Sequence, residues 1–209
     1  YNSAWIKSFL SDRSQCVVVD GIPSDPAPVT SGVPQGSVLG PILFLVFIND
    51  MPECISSKCR LFADDTIVYR EIVSADDTTL LQQDLDALQV WERRWGMSFN
   101  PSKCNTINIT RKTKPIVVAY TLKEEPLENV KVATYLGVQL ANNLTWHNHI
   151  AKVSAKGNKT LGFVKRNIKT SSQNTKTLAY QTLVRPTVEY ASCISSPHQE
   201  HLIYSSVRN

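Results

Sequence analysis

Between Glu128 and Glu189 the chain has no acidic residue at all. Residues 129–188 hold nine Lys or Arg and neither Asp nor Glu, a formal +9. An ordinary soluble helix surface mixes both signs, so this stretch does not read as one. A one-signed field of that kind suits a polyanion backbone and points to nucleic acid. Residues 1–128 are mildly acidic by contrast, at −4, and the whole chain is +4. No Cys-x-x-Cys pair occurs. The five cysteines, Cys16, Cys54, Cys59, Cys104 and Cys193, are odd in number and scattered. That spacing argues against a disulfide framework and against a zinc site. Free thiols, mostly in the core, and a reducing compartment are expected. No apolar run approaches the roughly 20 residues that cross a bilayer, and no stretch reads as a secretory leader. No contact with a membrane is expected. Internal repeats and low-complexity segments are also lacking. With 209 residues, 42% of them hydrophobic, the chain is long enough for one sizeable core and a small second unit.

The most informative stretch is residues 58–70. Two apolar, β-prone runs, Leu61-Phe62-Ala63 and Thr66-Ile67-Val68-Tyr69, flank Asp64 and Asp65. The pattern predicts a hairpin with the two acids as its two-residue tip. Adjacent carboxylates repel, and ionising both costs free energy unless a cation lies between them. Mg²⁺ is typically held by one or two carboxylates together with substrate phosphates. The tip therefore reads as half of a metal site for phosphoryl transfer. Turn chemistry alone also accounts for acids at such a place, so the neighbouring segments decide.

Upstream, Ser31-Gly32-Val33-Pro34-Gln35-Gly36-Ser37-Val38-Leu39-Gly40-Pro41 is punctuated as a constrained loop. It leads into an apolar run up to Asp50, predicted as a buried helix opened by Pro41. A glycine loop feeding a helix lets backbone amides approach a phosphate or base; it serves equally as a tight turn before a core helix. Elsewhere, residues 1–10 predict an amphipathic helix, Cys16–Val19 a strand and residues 21–34 a loop. Ser74–Trp95 predicts a second helix, with Leu81, Leu85, Leu88, Trp91 and Trp95 on one face. Asp76 and Asp77 suit its start, and Arg93 and Arg94 its end. Residues Ile107–Thr110, Ile116–Tyr120 and Val130–Leu140 are strand candidates. From Trp146 the pattern is helical and basic, with Lys152, Lys156 and Lys159 at helical spacing and Lys165, Arg166 and Lys169 continuing the cluster. Helices on one face of a small antiparallel sheet make an α+β fold.

Taken in order, these segments resemble the reverse transcriptase domain of non-LTR retrotransposons, the jockey-like elements in particular. Ser31-Gly32-Val33-Pro34-Gln35-Gly36-Ser37 resembles polymerase motif B. Phe62-Ala63-Asp64-Asp65 resembles motif C, Phe99-Asn100-Pro101-Ser102-Lys103-Cys104 motif D, and Tyr135-Leu136-Gly137-Val138 motif E, the primer grip. Trp5 to Arg13 is similar to the segment just before motif B. Trp146, His149 and Ile150 stand where the thumb of such enzymes begins. The likeness covers nearly the whole chain, in order and at matching spacing.

The resemblance implies a partial polymerase palm over residues 1–140 and a truncated helical thumb over 141–209. It implies, in the intact family, two-metal nucleotidyl transfer with Mg²⁺, or Mn²⁺, acting on an RNA template, a DNA primer and deoxynucleoside triphosphates, with weak or absent metal binding expected in this chain itself. Asp64 would be the principal metal ligand of the hairpin, supported by Asp65. Pro34, Gln35 and Gly36 would shape the pocket for template and incoming nucleotide. Lys103 would protonate the leaving pyrophosphate. Tyr135, Leu136 and Gly137 would hold the primer end, although Gly137 also suits a plain strand bend. Lys152, Lys156, Lys159, Lys165 and Arg166 would track the nucleic-acid backbone. A nuclear or cytoplasmic location follows from the family only.

The sequence departs from the family in three places. Motif A, which supplies another aspartate, and the basic finger residues that clamp the triphosphate are not found. Asp20 follows a β run, but Asp20-Gly21-Ile22-Pro23 reads as a turn rather than as motif A. Ser195, in Tyr190-Ala191-Ser192-Cys193-Ile194-Ser195-Ser196-Pro197, occupies an expected tryptophan. Four readings follow: a palm–thumb fragment inactive alone, a piece completed by a separate chain that supplies motif A, a non-catalytic nucleic-acid-binding remnant, and an unrelated metal-dependent phosphotransferase. The Pro-Gln-Gly motif at its distance from the hairpin argues against the last. The string His147-Asn148-His149 looks nuclease-like but has no flanking motif to support it.

Overall fold

The computed structural model of the chain describes residues 2–195. The end of the expected thumb, including Ser196 and Pro197, lies outside the described residues. After helix α1 (Asn2–Leu10), four short strands form nested hairpins. Strand β1 (Arg13–Gln15) pairs antiparallel with β4 (Ala27–Val29), and between them β2 (Val18–Val19) pairs with β3 (Ile22–Pro23). Asp20 and Gly21 form the inner tip, both with positive φ, +52° and +82°. That is the Asp-Gly turn whose twist matches the strands it joins, so Asp20 serves a turn, as its neighbours predicted. The expected strand from Cys16 shrinks to Val18–Val19, and the expected loop 21–34 contains two strands. Pro23 and Pro28 disguise them in the sequence, yet proline is tolerated in a ladder of only two strands, where one backbone side is always free.

The main core gathers three elements. Helix α2 (Gly40–Ile48) begins with Pro41 in its first turn and contributes Phe44, Phe47 and Ile48. The hairpin of β5 (Lys58–Phe62) and β6 (Asp65–Tyr69) contributes Leu61 and Val68. Helix α3 (Ala75–Trp95) contributes Leu85, Leu88 and Trp91. The sequence expected α2 to be buried, but only part of it is. Ile42, Leu45 and Val46 are more than half exposed, because α3 and the hairpin cover one side of a helix that is apolar all round.

Helix α3 follows its sequence signals closely. Ser74 and Asp77 form a reciprocal capping box, and Gly96 ends the helix in the left-handed region at φ +65°. Two carboxylates fix its neighbours. Asp50 accepts hydrogen bonds from the indoles of Trp91 (2.8 Å) and Trp95 (3.1 Å), tying the end of α2 to α3. Asp84, itself buried, accepts the backbone N–H groups of Ser56 and Ser57, each at 2.8 Å, and so holds the entry to β5. Burial works to raise the Asp84 carboxyl. The hydrogen bonds from Ser57 and Ser56 outweigh it and leave the group below the ordinary aspartate value.

The segment after α3 carries less regular structure than expected. Strand β7 (Asn105–Thr106) pairs parallel with β10 (Glu128–Asn129), and β8 (Thr121–Leu122) pairs with β9 (Glu125–Pro126). Neither Ile107–Thr110 nor Ile116–Tyr120 is a strand. Their β-branched residues find no partner strand, and Ile109, Ile116, Val117 and Val118 stay exposed. Tyr120, Leu122 and Leu127 form a second small core against α3. The expected strand over 130–140 is a hairpin, β11 (Val132–Tyr135) with β12 (Val138–Ala141).

Helix α4 (His147–Asn167) follows, then α5 (Gln173–Ala179), a π-helical turn over Tyr180–Val184, α6 (Arg185–Glu189) and α7 (Ser192–Ser195). The wide turn ends two residues before Pro186, whose missing N–H cannot continue an α-helical ladder. The architecture is mixed α+β, with small and mainly antiparallel ladders flanked by helices and a helical C-terminal part. Among the described residues the strands form six two-stranded ladders rather than one sheet. Among the described residues no helix is long and apolar enough to cross a membrane. All five cysteines are free, but the expectation that they fill the core fails. Cys16, Cys54 and Cys193 are exposed, and Cys59 and Cys104 are half-buried, since two-stranded ladders offer little interior. Burial raises both of the latter thiols, with Arg60 and Lys123 respectively acting in the opposite sense.

Candidate functional site

The hairpin tip is shifted by one residue from its expected place. Phe62 pairs with Asp65, so Ala63 and Asp64 are the two loop residues and Asp65 opens β6. Ala63 has φ +50° while Asp64 stays at negative φ. Positive φ at the first central residue alone is the pattern of a type II′ turn, where glycine is the usual occupant. An alanine there stores strain. Asp64 therefore lies in the turn and Asp65 at the first strand position, and both are exposed. Neither carboxylate has a side-chain hydrogen bond or ion pair among the described residues, which also contain no group of three or more His, Cys, Asp and Glu that could hold a metal.

The Pro34-Gln35-Gly36-Ser37 segment forms its own turn. Gly36, at φ +83°, takes the third position, and Ser37 N–H reaches back to the Pro34 carbonyl at 3.4 Å. Glycine is what a type II turn needs at that position. The Ser37 hydroxyl donates to the same carbonyl (2.7 Å) and accepts from Gly40 N–H (3.0 Å), so it joins the turn to the start of α2. A Cβ on Gly40 would lie 2.9 Å from the Pro34 oxygen. The buried Gly40 is therefore what lets the turn sit on the helix. Arg13 braces the other end, donating to the carbonyls of Ser31 (3.2 Å) and Gly32 (2.6 Å).

Lys103 ends a 3₁₀ turn, Pro101–Lys103, and is exposed. The turn is built by Asn100, whose Oδ1 accepts from the N–H (3.1 Å) and hydroxyl (2.7 Å) of Ser102. Gln35, Asp64, Asp65 and Lys103 share no hydrogen bond or ion pair with one another. What the fold brings together is their supports: α2, which follows the Pro-Gln-Gly turn, and both arms of the Asp64–Asp65 hairpin pack into one core on α3.

Tyr135-Leu136-Gly137 forms the tip of the β11–β12 hairpin. Tyr135 pairs with Val138, and Leu136 (φ +46°) and Gly137 (φ +79°) are the two turn residues. Lys152, Lys156, Lys159, Lys165 and Arg166 all lie on α4 and are exposed. His149 is buried at 1% exposure and its Nδ1 accepts the Gln139 N–H at 3.4 Å, whereas His147 is exposed. Two residues apart on a helix, the two imidazoles do not face each other, so they form no paired site.

Residues 1–140 match the family of reverse transcriptases (RNA-dependent DNA polymerases). The chain belongs to that family. Its relatives are the jockey-like non-LTR retrotransposon polymerases. The RNA-directed DNA polymerase from mobile element jockey of Drosophila melanogaster is 36% identical over 159 residues, 71% of this chain and 17% of that protein. The probable RNA-directed DNA polymerase from transposon X-element of the same species is 33% identical over 195 residues, 88% of this chain and 21% of that protein. The Drosophila funebris jockey polymerase is 35% identical over 159 residues, 71% of this chain and 17% of that protein. This reverse transcriptase segment thus spans about a fifth of the length of the curated relatives it matches. No solved structure matches it. Sequence reading missed Ala63, Ser37, Gly40 and Tyr190, whose ring lies against Gly137. Only Gly40 carried a signal, being a glycine directly before the first proline of a helix.

Proposed function

We propose that the segment contributes part of an RNA-directed DNA polymerase palm and its primer grip, residues 1–140, followed by thumb helices from 141 onward. Asp64 is the principal carboxylate of a divalent-metal site and Asp65 its support. The observation supporting this reading is the common core of α2, the carboxylate hairpin and α3, which carries the helix after the Pro34–Gly36 turn and the Asp64–Asp65 hairpin on one scaffold.

Exposed carboxylate oxygens are hard donors and fit Mg²⁺ or Mn²⁺. Such an ion, when bound, neutralises charge on the transferring phosphates and activates the attacking hydroxyl. The protein's own part is positioning. Pro34, Gln35 and Gly36 shape the nucleotide and template pocket, Lys103 delivers a proton to pyrophosphate, and Tyr135, Leu136 and Gly137 hold the primer end. The substrates are an RNA template, a DNA primer and deoxynucleoside triphosphates, and the setting is intracellular. Two carboxylates on one tip are fewer than a two-metal centre uses, so the segment alone does not polymerise. A further aspartate from motif A, in the same polypeptide or from a separate chain, completes it.

Two measurements test the proposal. Titrating paramagnetic Mn²⁺ into labelled protein should broaden the amides of Ala63 to Thr66 first, and Asp64→Ala should abolish that; broadening indifferent to the substitution overturns the metal assignment. Purified segment with primed RNA, nucleotides and Mg²⁺ should extend no primer. Template-dependent incorporation that vanishes in Asp64→Ala would refute the claim of inactivity. A second reading, a non-catalytic nucleic-acid-binding remnant, is favoured by the exposed lysines of α4, which form no ion pair among the described residues, and predicts binding without Mn²⁺ uptake at the tip.

A further inference from the structure

The primer-grip turn is strained, and what holds it comes from the far end of the chain. Leu136 sits at φ +46°, a left-handed conformation that is an outlier for a bulky side chain. Such strain persists only where the surroundings over-determine it. Here the hydroxyl of Tyr190 donates to the Leu136 carbonyl at 2.7 Å. The Tyr190 ring also covers Gly137, where a Cβ would meet the ring edge at 3.2 Å. Tyr190 is aimed there by the end of α6, whose backbone leaves the helix at Tyr190 with ψ 126°. Helix α6 is seated in turn on α4, so closely that a Cβ on Gly157 would lie 2.9 Å from a Val188 methyl. Helix α4 holds the other side of the hairpin, through the buried His149 and the Gln139 N–H at 3.4 Å.

We propose that Tyr190 is a positioning residue for the primer end, locking the Leu136–Gly137 turn to the thumb helices so that grip and thumb move as one unit. This rests on the grip reading above. Tyr190 touches the turn and not the primer. Its hydroxyl fixes which way the strained peptide after Leu136 points, and hence where the turn's backbone groups meet a primer terminus. The hairpin is fastened at its tip by α6 and at β12 by α4, so a hinge between palm and thumb falls before β11 rather than after β12.

The test uses the whole chain and compares a recessed-3′-end DNA primer on RNA with a blunt hybrid duplex of the same length. The wild-type protein should bind the recessed end several-fold tighter. Tyr190→Phe keeps the ring on Gly137 and removes one neutral hydrogen bond, so the preference should fall by roughly three- to tenfold. Affinity for the blunt duplex should stay unchanged. Gly137→Ala, which forces a methyl against the ring, should lose the preference in the same way. An unchanged preference in Tyr190→Phe overturns the inference and leaves the grip reading intact. A parallel loss on both substrates marks a merely structural role and also overturns it. No preference in the wild-type protein overturns the grip reading itself, and the inference with it.

Discussion

Replacing Lys152, Lys156 and Lys159 together by alanine probes the charge argument most directly. All three are exposed, lie on α4 at spacings of four and three, and form no ion pair among the described residues. Nothing acidic stands between residues 129 and 188 to share the field. Each phosphate contact contributes about 0.7 units to the slope of log affinity against log salt for single strands, and about 0.9 for duplex. Three lost contacts therefore make the slope shallower by about 2 to 3 units. Between 50 and 200 mM salt, a step of roughly 0.6 in the logarithm, that closes the affinity gap between wild type and variant by roughly 15- to 60-fold. Fluorescence anisotropy with two unrelated labelled RNAs across that range is the assay. Both RNAs should weaken alike, because backbone contacts carry no sequence information. Lys7, Lys112 and Lys114, exposed but off the helix, provide a charge-matched control triple. A variant with the wild-type slope, or one indistinguishable from the control, refutes the reasoning and reduces the lysines to solubilising groups.

Two further outcomes follow from the scaffold. Asp84→Ala leaves the Ser56 and Ser57 N–H groups without their acceptor and should cost about 3 kcal/mol in urea unfolding at pH 7; a loss under about 1 kcal/mol would mean that Asp84 does not hold the hairpin. Because the Asp84 carboxyl lies below its ordinary value, its contribution is complete above about pH 4 and is lost as pH falls through the lower folded value. Asp84→Asn should therefore flatten the acid limb of the stability curve, and an unaltered limb contradicts the assignment. Ala63→Gly relieves a positive φ at the tip and should raise stability by about 1 kcal/mol after the entropy lost to glycine. A lower urea midpoint in that variant would show that the turn is not strained.

Local signals in the sequence were legible where they repeat or punctuate. The α3 stripe from Leu81 to Trp95, its Ser74 and Asp77 cap and its Gly96 stop located that helix to within one residue. The carboxylate hairpin was equally readable, but its register was not: deciding between Ala63–Asp64 and Asp64–Asp65 as the tip depends on a backbone angle that alanine does not advertise. The strands claimed at 107–110 and 116–120 failed because β-branched residues mark a strand only when a neighbour exists to pair with it. The half-exposed state of α2 was hidden for a related reason, since an all-apolar run names no preferred face. Of the candidate site, the turn at Gly36 and the existence of the carboxylate hairpin could be read from their residues. The contact between Tyr190 and Leu136, 54 positions apart, has no periodicity or spacing that would announce it.

The arrangement of the ladders also bears on how the chain acquires its shape during synthesis. Five of the six join segments close in sequence, four of them through turns of two residues; only β7 with β10 spans a longer parallel crossing. Closing such short loops takes little entropy and little time. Each hairpin can therefore form as it leaves the ribosome, without waiting for a distant partner. The carboxylate hairpin precedes α3 in the chain, and α3 then supplies the apolar face that its arms pack against. The turn between β11 and β12 has the opposite history. Its Leu136–Gly137 bend forms early, but the tyrosine that fixes it is made 53 residues after Gly137, so the two hairpins mature at different moments of translation.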